Sequence, residues 1–477
     1  MGDQPERNVR RLGRARARGG GFFAVALVAL ATLAIALPGG VVHADQSSQP
    51  LEPAAAQLDA GRNHTCAMLA DGEVRCWGFN REGELGYANR DTIGDDETPA
   101  AAGPVDLGEG RTAKSISAGD FHTCAILDDD TVRCWGFGGN GRLGYGSQSN
   151  VGDDETPGSV GPVDLGTDGE GRALTAKSIS AGGSHTCAIL DDDSVRCWGY
   201  AFYGQLGYGN PEPTGDPPVE PNPLDIGDTE TPGSVGPVDL GAGPVTAISA
   251  GGLHTCAILQ GGDVRCWGNG AVGRLGYASE ANIGDRDTPA SAGSVDIGLG
   301  RTAKAIAAGD AHTCAVLDNA AVRCWGFNGN GRLGYGNSQP IGDTETPGSV
   351  EPVVLGSGAK AIGAGRGHTC ALLDGGAVRC WGFGGNGRLG YGNVEDIGDD
   401  ELPASAGPVD LGMGGTARAI TLGGSQTCAR LDDEKGSVRC WGYGGNGRLG
   451  LCSEANVGDD ESPASVGVVD LGDGGQA

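Results

Sequence analysis

A motif of about 15 residues, which starts with His-Thr-Cys-Ala and ends with Val-Arg-Cys-Trp-Gly, recurs along the chain. The copies are His64–Gly78, His122–Gly136, His185–Gly199, His254–Gly268, His312–Gly326, His368–Gly382 and Gln426–Gly442. Their starts are 56 to 69 residues apart, and the seventh copy has glutamine in place of histidine. Repeats of this length form supersecondary units that bury their apolar faces only against neighbouring copies. The sequence therefore predicts a repeat architecture with seven units.

The segments around each copy are short and repeat as well. A short apolar run that ends in glycine precedes the motif, as at 113–119, and a glycine-rich turn with a leucine follows it, as at 139–145. An acidic loop such as 151–157 and a last short run such as 161–166 complete the unit. No long stretch has helical periodicity, and 92 of the 477 residues are glycine. Four short strands separated by turns are typical of a propeller blade, so we predict an all-β fold, a seven-bladed β-propeller of four-stranded blades.

A histidine at the start of a strand, a strand that ends in Trp-Gly and a following Gly-x-Leu-Gly together resemble the regulator of chromosome condensation (RCC1-like) repeat. The resemblance extends from about residue 57 to 472. It implies the seven-bladed propeller that the number of repeats predicts by itself, in its secreted bacterial form. Members of this family mostly bind proteins, and exported bacterial members inhibit enzymes. The best-known eukaryotic members are guanine-nucleotide exchange factors that dock on chromatin.

The first 44 residues have the pattern of a signal peptide, with arginines before an apolar run at 22–37 and small residues up to Ala44. The run has 16 residues, fewer than the ~20 of a membrane span. We expect cleavage near Ala44 and a protein that is secreted or stays in the cell envelope or periplasm. An uncleaved signal anchor is the alternative, and it is the only membrane contact that we expect. Residues 45–56 then form a linker, and 57–477 form the propeller. The repeats lie near 57–112, 113–176, 177–245, 246–302, 303–358, 359–416 and 417–477.

The charge of the chain excludes one class of partner. Without residues 1–44 the chain has 27 basic and 59 acidic residues, a net charge of −32. Such a field repels the phosphates of nucleic acids and of anionic lipids, which are bound through lysine and arginine. We therefore expect no nucleic-acid partner. The same charge and the predicted export speak against nucleotide exchange and chromatin docking.

The two cysteines of each motif are ten residues apart, or twelve in the seventh copy. On a hairpin with its loop at 70–72, Cys66 lies opposite Cys76 and Met68 opposite Val74. Opposed residues of a non-hydrogen-bonded antiparallel pair have Cα atoms ~4.5 Å apart, within the ~4.4–6.8 Å of disulfides. Two extra residues in the seventh copy keep both cysteines on one face. With a secretory signal this predicts seven disulfides. The pairs are Cys66–Cys76, Cys124–Cys134, Cys187–Cys197, Cys256–Cys266, Cys314–Cys324, Cys370–Cys380 and Cys428–Cys440.

Other uses of the motif have less support. Unpaired thiols and a metal site remain as alternatives, but structural zinc needs four ligands at spacings that the motif lacks. A cysteine nucleophile needs a unique partner, which seven equal copies do not offer. The histidine is expected to form a structural hydrogen bond, and each seam to set the disulfide face of one blade against the tryptophan face of the next. Cys452 is left over as a free thiol or an intermolecular bridge, and 468–472 is expected to pack near the first repeat.

Each repeat also carries an acidic loop of the form Gly-Asp-x-(Glu or Asp)-x-Pro. The carboxylate pairs are Asp95/Glu97, Asp153/Glu155, Asp228/Glu230, Asp285/Asp287, Asp343/Glu345, Asp399/Glu401 and Asp459/Glu461. Carboxylates are ligands for Ca²⁺, although the usual calcium-loop pattern is absent. The alternatives are solvated turns and ion pairs with the arginines of the Gly-Arg-Leu-Gly turns. No cofactor motif occurs, so we expect no cofactor, with Ca²⁺ as the single candidate.

Residues 200–225 depart most from the repeat. They contain a proline-rich insert, 210–225, and the aromatic residues Tyr200, Phe202, Tyr203 and Tyr208. In a widely shared fold, function depends on the site rather than on the scaffold, so we predict that these four side chains contact another protein. The sequence thus predicts a protein-binding scaffold with an inhibitory or regulatory role, and no enzyme. The alternatives are a lyase or glycan-active propeller that uses a non-repeated loop and, by family analogy, guanine-nucleotide exchange.

Overall fold

The structure, a computed structural model, describes residues 55–209, 224–241 and 243–472. In these residues seven antiparallel sheets of three strands follow one another along the chain, which confirms the all-β, seven-bladed propeller. Blade 1 contains β1 (Ala55–Ala60), β2 (His64–Leu69) and β3 (Val74–Gly78); blade 2, β4 (Ala113–Ala118), β5 (His122–Leu127) and β6 (Val132–Gly136); blade 3, β7 (Ala176–Ala181), β8 (His185–Leu190) and β9 (Val195–Gly199); blade 4, β10 (Val245–Ala250), β11 (His254–Leu259) and β12 (Val264–Gly268); blade 5, β13 (Ala303–Ala308), β14 (His312–Leu317) and β15 (Val322–Gly326); blade 6, β16 (Ala359–Ala364), β17 (His368–Leu373) and β18 (Val378–Gly382); and blade 7, β19 (Ala417–Leu422), β20 (Gln426–Leu431) and β21 (Val438–Gly442).

Helical segments are single turns within the loops. The α-helical turns are α1 (Pro99–Ala102) and α2 (Pro289–Ala292), and the 3₁₀ turns are Gly139–Gly141, Pro157–Ser159, Pro232–Ser234, Ala271–Gly273, Gly329–Gly331, Pro347–Ser349, Gly385–Gly387, Pro403–Ala406, Gly445–Gly447 and Pro463–Ser465. Many of them begin with proline, whose fixed φ suits the first helical position and whose missing N–H would have no partner there.

No blade has a regular fourth strand in the part of the chain that the structure describes. In blade 1 the segment 103–108 follows the outer edge of β3 with a single backbone hydrogen bond, from Val105 N to Val74 O (2.8 Å). The other end of that edge is taken by Ile93, which exchanges two hydrogen bonds with Gly78 (2.7 and 3.3 Å). Two separate segments share the short edge, and a proline without an N–H precedes Val105, so neither segment forms a ladder. The prediction of four-stranded blades was wrong in this detail.

The second and third strands pair in the predicted register, with Cys66 opposite Cys76 and Met68 opposite Val74. All seven predicted disulfides are present, with Cα atoms 4.0–4.1 Å apart. In blade 7 the hairpin loop is two residues longer, and the two cysteines remain opposed. Cys452 is free and exposed. The even change in loop length explains why the bridge survives there, because side chains alternate between faces along a strand.

The seams between blades contain the core, where all seven tryptophans are fully buried. The indole of Trp77 donates to Arg448 O in the preceding blade (3.0 Å), and Thr65 lies opposite Trp77 on the same face. On the other face of blade 1, the Cys66 sulfur is 3.9 Å from Thr123 Oγ1 of blade 2. The predicted arrangement, with the disulfide face of one blade against the tryptophan face of the next, is confirmed.

A ring of backbone hydrogen bonds surrounds the central channel. In every blade an amide at the turn after the first strand donates to a glycine carbonyl of the next blade. The seven bonds are Arg62 N–Gly119 O, Asp120 N–Gly182 O, Gly183 N–Gly251 O, Gly252 N–Gly309 O, Asp310 N–Gly365 O, Arg366 N–Gly423 O and Gly424 N–Gly61 O, at 2.9 to 3.4 Å. The last bond joins blade 7 to blade 1. In addition, Asp470 O accepts from Ala100 N (3.1 Å), which confirms that 468–472 packs near the first repeat.

Several predicted segments lie outside the described residues. They are the signal peptide (1–44), most of the linker (45–54), 210–223 of the insert, and 473–477 at the end of the predicted seventh repeat. The strand β1 begins at Ala55, two residues before the predicted start of the propeller. Among the described residues, no helix has the length and apolar character that crossing a membrane requires.

Candidate functional site

The loops at one end of the blades form a face on which the sequence departs from its repeat. The turn between the first and second strands and the loop after the third strand lie at this end, because neighbouring strands are antiparallel. In blade 1 these are residues 61–63 and 79–92. We call this end the upper face. The hairpin loops between the second and third strands lie at the other end, the lower face.

The motif histidines are structural. Their Nε2 atoms lie 2.8–2.9 Å from threonine hydroxyls of the next blade, in the pairs His64–Thr123, His122–Thr186, His185–Thr255, His254–Thr313, His312–Thr369 and His368–Thr427. Thr123 Oγ1 donates in turn to Glu84 O (3.1 Å), so His64 is the donor in its pair. Burial, and then the charge of Arg448, lowers the pKa of His64 to about 4. Gln426 donates to Gly61 O and His64 O instead (3.1 and 3.2 Å). The expected structural hydrogen bond of the histidine is confirmed.

A repeated tyrosine has a similar role, and Tyr208 is one of its copies. The hydroxyl of Tyr208 accepts from Cys197 N (3.1 Å) and donates to Cys197 O (3.0 Å). The equivalent tyrosines that bond to the cysteine amide of their own blade are Tyr87, Tyr145, Tyr277, Tyr335 and Tyr391. Burial raises the pKa of Tyr208 to about 12. Tyr208 therefore stabilises its blade through both backbone groups of Cys197.

The other three predicted contact residues come together on the upper face of blade 3. The rings of Phe202 and Tyr203 have centroids 4.9 Å apart and are perpendicular. The ring of Tyr200 lies 6.2 Å from that of Phe202 and 6.4 Å from that of Tyr203. The loop is held by Ala201 N, which donates to the buried carboxylate of Asp225 (2.9 Å). All three rings are half-buried, so they form a fixed aromatic cluster that keeps part of its surface in solvent.

In four other blades an arginine stacks on the aromatic residue that follows Trp-Gly. The pairs are Arg142–Phe137, Arg332–Phe327, Arg388–Phe383 and Arg448–Tyr443, with the guanidinium carbon 4.6–4.7 Å from the ring centroid. These arginines donate to the backbone of the next blade, as Arg388 does to Gly424 O (3.2 Å). These pairs were not predicted, although an aromatic residue after Trp-Gly and an arginine in the next turn are visible in the sequence. In the part of the chain that the structure describes, no ion pair joins an acidic loop to an arginine of the Gly-Arg-Leu-Gly turns, so that alternative was wrong for Arg142, Arg274, Arg332, Arg388 and Arg448.

Four of the acidic loops bring three carboxylates together. The groups, with one oxygen of each residue within 4.8 Å of the others, are Asp95–Asp96–Glu97, Asp153–Asp154–Glu155, Asp399–Asp400–Glu401 and Asp459–Asp460–Glu461. Burial and then the neighbouring carboxyl groups raise the pKa values of Glu97 and Glu155 to about 7. Like charges this close favour the retention of a proton. Oxygen ligands of this kind suit Ca²⁺, and a calcium site stays a prediction.

The sequence matches two related protein families and several characterised proteins. The RCC1-like domain family matches residues 11–351, and the regulator of chromosome condensation (RCC1) repeat family matches residues 359–388. The chain is 28% identical over 398 residues to the ultraviolet-B receptor UVR8 of Arabidopsis thaliana, which covers 83% of the chain and 78% of that protein. It is 26% identical over 314 residues to the E3 ubiquitin-protein ligase HERC2 of Homo sapiens, which covers 66% of the chain and only 6% of that protein.

Two solved structures share the fold. Human WBSCR16 superposes with a TM-score of 0.62 at 19% identity, over 82% of this chain and 92% of that one. Yeast RCC1 (Prp20), solved in complex with Kap60, has a TM-score of 0.58 at 20% identity, over 80% of this chain and 81% of that one. At these identities the likeness shows the fold alone. Because the first family match spans most of the sequence and the seven blades agree with it, the chain belongs to the RCC1-like domain family.

Proposed function

We propose that this chain is an exported scaffold that binds another protein on its upper face and inhibits or regulates it. The observation that supports this proposal is the cluster of Tyr200, Phe202 and Tyr203, which lies in the blade loop that departs most from the repeat. A few buried aromatic anchors supply most of the binding energy in protein interfaces. Rings held in fixed orientations lose little conformational entropy on binding, which favours such a role.

The seven disulfides support an oxidising compartment. Disulfides persist outside the cell, in the periplasm and in the secretory pathway, and they are rare in reducing compartments. The signal-peptide pattern of residues 1–44 supports the same location. Each bridge also lowers the conformational entropy of the unfolded chain. This stabilisation matters here because only 5% of the residues are aromatic, so few large side chains are available for the core.

Binding is favoured over catalysis because the polar groups of the motif repeat from blade to blade, whereas a catalytic set is unique. Nucleotide exchange and chromatin docking are disfavoured by the net charge of −28. Yeast Prp20p, which binds Gsp1p and histones, is only 19% identical to this chain. Ligase activity is not carried over either, since HERC2 matches over 6% of its length.

The test removes the three rings together. In one variant Tyr200, Phe202 and Tyr203 become serine; in the control the exposed Leu299 and Met413 become serine. Wild-type protein on beads captures partners from culture medium, and the affinity of the captured protein for each variant is measured by biolayer interferometry. We expect at least tenfold weaker binding for the ring variant and none of that loss for the control. Equal affinities would refute the contact site, and no protein captured above blank beads would refute the scaffold.

A further inference from the structure

A polar depression of about 270 Å³ opens on the upper face where blades 6, 7 and 1 meet. Its charged lining consists of Arg62, Arg366 and Arg448, and Asn386 and Tyr443 are among the neutral residues that complete it. We call it the arginine pocket. No carboxylate lines it among the described residues, although the chain has 61 acidic and only 33 basic residues. A cationic pocket in so acidic a protein requires a specific explanation.

Two of the three guanidinium groups keep unused donors. Arg62 Nη1 lies 3.7 Å from Asp120 Oδ2, and Arg366 Nε lies 3.6 Å from Asp310 Oδ2, both longer than a hydrogen bond. Neither guanidinium donates a hydrogen bond to another residue that the structure describes. The side chains are 32% and 51% exposed. Because a guanidinium has five N–H donors, these two arginines can bind a ligand without breaking a side-chain hydrogen bond to a described residue.

The third arginine is fixed in the wall of the pocket. Arg448 is 4% exposed and stacks on Tyr443. Its Nη1 donates to Asn63 Oδ1 (3.0 Å) and its Nε to Gly445 O (2.9 Å). Burial, with the charge of Arg62 as a further cause, lowers the pKa of Arg448 to about 10. No carboxylate forms an ion pair with it among the described residues, so this buried cation lacks a counter-charge.

The charges around the channel are divided between two sides. Asp120 and Asp310 belong to blades 2 and 5, whereas Arg62 and Arg366 stand on either side of blade 7. The position between these two arginines is Gly424, where a Cβ atom would come within 2.5 Å of Arg62 O. A side chain at Gly424 would therefore clash with the backbone of Arg62, which lines the pocket.

We propose that the arginine pocket binds a tetrahedral oxyanion, phosphate or sulfate, either free or as an ester. Guanidinium groups match such oxyanions through paired, charge-assisted hydrogen bonds. Sites for drug-sized ligands occupy ~300–1,000 Å³, so a pocket at the lower limit holds a single anionic group. The site is separate from the proposed protein contact, because its lining includes none of the three aromatic rings of blade 3.

The test is isothermal titration calorimetry of the purified protein at pH 7.5, with chloride used to hold the ionic strength constant. The ligands are inorganic phosphate, sulfate, O-phosphoserine and acetate. We expect phosphate and sulfate to bind at least tenfold more tightly than acetate, and O-phosphoserine shows whether the ester is preferred to the free anion. The net charge of −28 repels all four ligands, so general ionic attraction does not produce this order.

Two variants and a matched control locate the site. Arg366→Gln is expected to weaken phosphate binding at least tenfold, and Arg366→Lys, which keeps the charge without the planar fork, to weaken it less. The control Arg418→Gln also removes one arginine paired with one aspartate, Asp432, but on β19 away from the pocket lining, and should leave binding unchanged. Phosphate binding no stronger than acetate binding, or an equal loss in the control, would overturn the proposal. Because the Arg366 side chain donates no hydrogen bond to a described residue, and a substitution leaves its backbone bond to Gly423 in place, its variants are expected to keep the melting temperature.

Discussion

The six buried histidines of the motif make the stability of the propeller depend on pH. A substitution at one of them, His312, measures the contribution of a single histidine. Burial, followed by the charges of Arg332 and Arg274, lowers the pKa of His312 to about 3. In the unfolded chain a histidine has a pKa of ~6.5. Since the folded state favours the neutral ring, its contribution to stability is complete above pH ~6.5 and is lost as the pH falls. Between pH 7.5 and 4.5 the loss is about 2.7 kcal/mol, at ~1.36 kcal/mol per proton and pH unit.

The substitution His312→Gln removes this titrating side chain, and Gln426 in blade 7 shows that glutamine fits the position. At pH 7.5 we expect the variant to be less stable by ~1 kcal/mol, because the hydrogen bond to Thr369 is lost. At pH 4.5 the same variant should be more stable than the wild type by about 1.7 kcal/mol, so the two stability curves cross between pH 5 and 6.5. The reverse change, Gln426→His, should add a proton and steepen the acid dependence.

The assay is urea unfolding under non-reducing conditions at a series of pH values, followed by the fluorescence of the buried tryptophans. Only the difference between variant and wild type is read, because Glu84 and other carboxyl groups titrate in the same range. Stability curves that stay parallel from pH 7.5 to 4.5 would refute the reasoning, since His312 would then titrate alike in the folded and unfolded chains.

Four further predictions concern single features. Cys452 has φ +51°, where the second repeat has Gly146, so Cys452→Gly should raise the free energy of unfolding by ~1 kcal/mol; no gain in urea denaturation would contradict this. Replacing Cys66 and Cys76 together by alanine should cost ~2.7 kcal/mol from the chain-entropy model, and the same experiment under reducing conditions should show no difference. Because the pKa of Glu97 is raised to about 7, its stabilising contribution is present below pH ~4.5 and is lost as the pH rises through about 7. Glu97→Gln should therefore reduce the change in melting temperature across this pH range. If the acidic loops bind calcium, Ca²⁺ at pH 8 should raise the melting temperature of Glu97→Gln less than that of the wild type, because the variant keeps the other three carboxylate clusters, and EDTA should reverse both increases.

The hairpin that carries the disulfide was predictable residue by residue because every relation in it is local. Cys66 and Cys76 are ten residues apart, and the alternation of strand faces alone determines that they meet. The fourth strand was not predictable in this way. Whether 103–108 forms a ladder depends on Ile93, which occupies the same edge of β3 from a different part of the loop.

The candidate sites show the same division. Clustering of Tyr200, Phe202 and Tyr203 follows from their closeness in sequence. The structural role of Tyr208 also had a sequence signal that the prediction overlooked, because a tyrosine eleven residues after the second cysteine recurs in six of the seven repeats. The arginine pocket has no sequence signal, since Arg448 and Arg62 are 386 residues apart and meet only when the ring closes.

The ring of seven amide-to-carbonyl bonds does not distinguish the junction of blades 7 and 1 from the other six. Each sheet consists of consecutive strands, and no strand from one end of the described chain enters a blade at the other. Ala55 and Gly472, the first and last described residues, border the same depression. A short linker could therefore join them, with new termini opened at 109–112, and the circular permutant would contain the same seven junctions. In this propeller the order of the blades along the chain follows from the position of the chain ends, and the ring of seven junctions does not define a first blade.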